Sequence, residues 1–114
     1  MSKRSLLAAL LLSAVVVPAF AAAETWKDVP LIDHNCLAKV KADPDAHPTH
    51  CLLMCAKSGY GVLTADGTWI KLDEKGNQEA LAALQKTTKK NAIRVTVTGE
   101  KEGDTIKVAT LKID

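Results

Sequence analysis

The sequence predicts a mainly β domain of the α+β class: a small antiparallel barrel of about five strands with two short helices. Three observations lead there. Two pairs of alternating apolar segments each flank a tight-turn dipeptide, Asp66-Gly67 and Gly103-Asp104. A segment of helical periodicity separates the two pairs. A further strand-like stretch near residue 25 precedes a segment, 33–58, that holds every His in the chain and every Cys.

At the N-terminus Lys3 and Arg4 precede a run from Leu6 to Val17 that is apolar except for Ser13, then Pro18 and the small residues Ala19, Ala21, Ala22 and Ala23. This order of residue types is that of a signal peptide over 1–21, cleaved after Ala21 or Ala23. The run is 12 residues long, short of the ~20 that a spanning helix needs. The expected product is a periplasmic or secreted domain, 24–114, with no membrane anchor after cleavage. Cleavage also removes two of 15 basic residues, leaving 13 against 13 acidic ones. A near-neutral domain with few aromatics lacks the footprint of a nucleic-acid binder. A domain of this size builds only a marginal core, so a covalent or metal staple is expected.

Thr25 to Leu31 reads as a short edge-type strand, because it mixes apolar and polar residues and contains Pro30. From Asp33 to His50 no periodicity holds, and Asp43-Pro44-Asp45 marks a turn. Pro48 suits the first position of a helix that runs to about Ser58, with Gly59 as its C-cap. Tyr60 to Thr64 and Thr68 to Leu72 form the first hairpin. Asn77 is a capping residue for a helix from Gln78 to about Lys89, with Ala80, Leu81, Leu84 and Thr88 on one stripe. Ala92 to Thr98 and Thr105 to Ile113 make the second hairpin, with Ile93, Val95 and Val97 facing inward. Ile106 and Val108 are out of phase with Leu111 and Ile113, so the last strand either carries a bulge near Val108 or buries both faces. Strand, Cys-bearing helix, hairpin, helix, hairpin is the order of an OB-like barrel. Such barrels often bind oligonucleotides, but fold analogy transfers no function.

Cys36, Cys51, Cys55-Ala56-Lys57-Ser58-Gly59, Thr64-Ala65-Asp66-Gly67 and Val95-Thr96-Val97-Thr98-Gly99 together span most of the mature chain. In these residues the chain resembles small exported bacterial domains of unknown function that carry an early Cys, Cys-x3-Cys-Ala-Lys-x-Gly and a barrel-like ending. The resemblance implies the fold and the importance of the cysteines, and no activity.

Three cysteines are an odd number for an oxidising compartment. Cys51 and Cys55, four apart on a predicted helix, are poorly placed to pair with each other, so a disulfide from Cys36 to one of them is expected. In the chain-entropy model such a loop stabilises by ~3 kcal/mol. The other reading is a soft metal ion, Cu or Zn, on Cys36, Cys51, Cys55 and His47, with His50 as the alternative imidazole. His47, Cys51 and Cys55 are spaced by fours, and His50 lies closer to Met54. The partner is then a metal ion or, for a disulfide-stapled interaction module, a periplasmic protein. A thiol oxidoreductase is the third reading, weakened by the lack of Cys-x-x-Cys. No nucleophile elbow, glycine-rich phosphate loop or His-Glu-x-x-His occurs, so an enzyme of those classes is not expected.

Overall fold

Both hairpins form, and together with the first strand they close on themselves. The computed structural model describes residues 22–114; the expected signal peptide, 1–21, lies outside the described residues. Five strands, β1 (Glu24–Asp33), β2 (Tyr60–Leu63), β3 (Trp69–Leu72), β4 (Arg94–Glu102) and β5 (Thr105–Ile113), make a closed barrel in the order β1-β2-β3-β5-β4. This is compatible with a small OB-like barrel. The connection from β1 to β2 carries α1 (Leu37–Val40), α2 (Thr49–Met54) and single 3-10 turns at His34–Cys36, Pro44–Ala46 and Ala56–Ser58. Between β3 and β4 lies α3 (Glu74–Lys86).

The expected antiparallel barrel is corrected at one seam. Strands that alternate in direction cannot close a ring of odd number, so one pair must run parallel. That pair is β3 with β5, joined through Lys71 opposite Thr105 and Leu72 opposite Ile106.

Nor is β1 an edge strand. It pairs with β4 from Glu24 to Pro30 and with β2 from Leu31 to Asp33, changing partner after a register shift between Trp26 and Val29 where Asp28 takes a φ of 53°. Pro30 is tolerated at the changeover because the ladder resumes at once, Leu31 N donating to Ile93 O at 3.0 Å.

Ile93, Val95 and Val97 are buried as their alternation requires, joining Leu31, Val62, Ile70, Leu72, Ile106 and Val108 in one core. The change of phase in β5 is a bulge: Thr98 faces Thr110 while Gly99 faces Val108, so Ala109 is the extra residue. Leu111 and Ile113 beyond it are only half-buried.

Helix α3 starts earlier than the expected cap at Asn77. Asp73 caps it, its Oδ1 accepting from Gly76 N at 2.9 Å. The same Oδ1 accepts from Val108 N at 3.2 Å beside the bulge, and Lys75 Nζ donates to Ala109 O at 2.8 Å. Gly76 permits this approach, since a Cβ there would lie 2.5 Å from Val108 Cγ2. Inside the helix Asn77 bridges instead, accepting from Tyr60 N at 2.6 Å and donating to Leu72 O at 3.0 Å. The buried stripe is Gly76, Ala80 and Leu84, and the helix ends at Lys86.

In α2 the regular helix stops at Met54. Pro48 is its N-cap, Cys55 its C-cap, and the chain tightens into 3-10 geometry before Gly59 leaves it at a φ of 90°.

Asp73→Ala removes a helix cap and the acceptor for the bulge N–H together. Chemical denaturation should register a loss of about 2–3 kcal/mol, a substantial part of which Asp73→Asn restores. A loss below about 0.5 kcal/mol would mean that the carboxylate is idle.

Candidate metal centre

The site begins where β1 ends. Alternation puts Asp33 in phase with Leu31, towards the interior, and the β1 to β2 connection folds over it. Its carboxylate is fully buried. One oxygen, Oδ2, accepts from Cys36 N at 2.9 Å and so caps the 3-10 turn; the other, Oδ1, accepts from His47 Nε2 at 2.8 Å. His47 is itself only 5 % exposed, and among the described residues its Nδ1 makes no hydrogen bond.

His47 is held from both sides of the chain. Upstream, the Pro44–Ala46 turn receives His47 N on Pro44 O at 3.2 Å, and Asp45 is gripped by Arg94 through Nε at 3.0 Å and Nη2 at 3.2 Å. Downstream, Thr49 N donates to Lys90 O at 2.8 Å and Thr49 Oγ1 to Lys89 O at 2.7 Å. The start of β4 and the segment before it therefore fix an imidazole that lies far away in sequence.

A buried carboxylate is tolerated only with partners, and here they are an imidazole, an amide and a thiol. Burial pushes the Cys36 thiol up to about 11, helped by its hydrogen bond to Asp33, by the Asp33 charge and by Cys55 beside it. Tyr60 is pushed up to about 12 by burial and by the same two neighbours, while its hydroxyl donates to Leu52 O at 2.7 Å. One ligand atom each from Asp33, Cys36 and His47 lie within 4.8 Å of one another. Oxygen, sulfur and nitrogen donors thus converge on one point.

Of the set expected from the sequence, Cys36 and His47 stand in this group. Cys51 and Cys55 are outside it, and Asp33 is in it. Cys55 sits at the C-cap of α2 with its Sγ 3.6 Å from Asn35 Nδ2. Cys51 is half-buried within α2. His50 is exposed and lines a cleft with Leu53 and Leu84. His34 lies against Trp69 with the rings tilted by 34° and their centroids 5.2 Å apart. The expected disulfide is not formed: all three thiols are free. Asp33 was missed because it opens a polar stretch that reads as solvated. The available signal was its phase with Leu31 after a buried run. A broad cleft of about 560 Å³ between the end of α3 and β5, floored by Ala82, Ala83, Leu111 and Ile113, does not involve the cluster.

No family model, curated protein or solved structure matches the chain. The resemblance to small exported domains therefore rests on the residues quoted for it.

His47→Ala strands the buried carboxylate and should cost about 3 kcal/mol at neutral pH in denaturant titration. Adding Asp33→Asn to it should recover part of that loss. A double variant no more stable than the single one would show that the pair carries no coupling.

A thiol whose folded value lies above its ordinary 9.0 stays mostly protonated between those two pH values and reacts more slowly than a free thiol, through its small thiolate fraction. The stability linked to keeping this thiol neutral, set by its burial and then by Asp33 and Cys55, is present below pH 9.0 and lost as pH rises through about 11. Alkylation of Cys36, followed by peptide mass spectrometry on native protein, should accelerate up to about pH 11; a plateau reached by pH 9 would contradict the assigned environment.

Proposed function

We propose that this is a small exported domain that binds one divalent metal ion of the Zn(II) class through Asp33, Cys36 and His47. The observation that carries the reading is the convergence of three unlike donors within 4.8 Å, one of them a fully buried carboxylate. The order of residue types over 1–21 supports export to the periplasm or beyond.

The chemistry of the donor set fits the ion. Carboxylate, thiolate and imidazole are the three side-chain types that bind Zn(II), whereas Cu(I) selects thiolates and thioethers. Burial is the main cause of the raised Cys36 thiol, but the Asp33 charge that adds to it favours a divalent cation in place of the thiol proton. A metal ion would take the place of the proton on the Cys36 thiol, so binding releases that proton and strengthens as pH rises.

Reduced, chelator-stripped protein should take up about one Zn(II) or Co(II) per chain, the stoichiometry of a single site. Cys36→Ser and His47→Gln, each verified as folded by circular dichroism, should lose it, and Cys51→Ser should keep it. Uptake should increase from pH 5.5 to pH 8 by ~10-fold or more, as expected when a ligand must deprotonate. If wild type binds no more metal than Cys36→Ser, the metal reading fails; if Cu(I) is bound in preference and Cys51→Ser abolishes it, the carboxylate-centred site is the wrong one.

A further inference from the structure

We infer that Cys36 and Cys55 are a disulfide-forming pair, and that bridging them withdraws Cys36 from the cluster, so that metal occupancy depends on thiol oxidation. The second half rests on the metal reading above; the first does not.

The two segments that carry these cysteines are tied together at each residue. His34 N donates to Gly59 O at 2.9 Å, Asn35 N to Ser58 Oγ at 3.1 Å, and Ser58 Oγ to Cys55 O at 2.8 Å. Asn35 Nδ2 reaches Cys55 Sγ at 3.6 Å. Cys36 is the next residue along, so the contacts of His34 and Asn35 carry it to the segment that holds Cys55, whereas Cys51 lies a helical turn further back in α2. Because Cys55 is the C-cap of α2, at φ −101° and ψ 21°, it is free of the helical geometry that would disfavour a bridge. Both cysteines are half-buried rather than sealed. Cys36 therefore has two neighbours with competing claims on its sulfur: the Asp33 and His47 cluster on one side and Cys55 on the other.

The oxidant is a small-molecule disulfide, RSSR. The Cys55 thiolate attacks one of its sulfurs, forming a mixed disulfide and expelling RS⁻. The Cys36 thiolate then attacks Cys55 Sγ, forming the bridge and expelling the second RS⁻. Two cysteine sulfurs are oxidised and two R sulfurs reduced, and the two thiol protons end on two RSH. A sulfur in a disulfide is no longer a thiolate donor, which leaves Asp33 and His47 hydrogen-bonded to each other as they are without metal.

The test uses full-chain protein, reduced and metal-free, equilibrated with oxidised glutathione. Peptide mapping by mass spectrometry should find Cys36 linked to Cys55 with Cys51 alkylatable. Zn(II) uptake should fall at least tenfold and return on treatment with dithiothreitol. Preloading with Zn(II) should slow the bridge, and Cys55→Ser should bind Zn(II) with no response to oxidant. A dominant bridge to Cys51, or mixed disulfides alone, overturns the pairing. A Cys36–Cys55 bridge that leaves Zn(II) uptake unchanged overturns the coupling. If reduced wild type takes up no Zn(II), the metal reading falls and the coupling with it, while the map still decides the pairing by itself.

Discussion

The constraint on which this molecule turns is the burial of one carboxylate. Asp33 is the last residue of β1, and strand alternation leaves it no choice but to point inward with Leu31. A lone carboxylate there would be prohibitively costly, so polar partners must be delivered to it. The β1 to β2 connection supplies them: an amide and a thiol from Cys36 at once, and an imidazole from His47 after a return excursion. The irregularity of that connection follows from this task, since a long regular helix could not place residues 36 and 47 on the two oxygens of the same group.

The rest of the barrel acts as a frame for the excursion. Arg94, at the first position of β4, holds Asp45 two residues before His47, and Lys89 and Lys90 receive Thr49 two residues after it. Precision at the cluster thus comes from the far half of the chain. The imidazole is fixed through the residues on either side of it, which β4 and the segment before it hold in place.

Much of the frame was legible in the sequence, for local reasons. Asp66-Gly67 and the alternation of Ile93, Val95 and Val97 act over a few residues, and the phase slip at Val108, which left a bulge or two buried faces open, is resolved as a bulge at Ala109. What could not be read depended on distant partners. Asn77 is as good a capping residue as Asp73, and only the barrel decides between them, by setting Asp73 beside the bulge and Asn77 beneath Tyr60. The cluster was half legible. Cys36 and His47 stand out by residue type, whereas the carboxylate that unites them looks like any other surface acid until the strand phase is known. Cys51 and Cys55 drew attention through helical spacing, but the helix ends between them.

Barrel closure also sets an order of events. Thr25 faces Thr98 across the β1–β4 seam, 73 residues apart, with Arg94 completing the clamp on Asp45. A chain emerging N-terminus first exposes β1 and all three thiols well before β4 exists to receive them. Such non-local pairing folds slowly, because loop closure is spent before contacts return it. The interval before closure is therefore a window in which the cysteines are open to the chemistry of their surroundings, and Cys36 is exposed to it before Asp33 and His47 have closed around it.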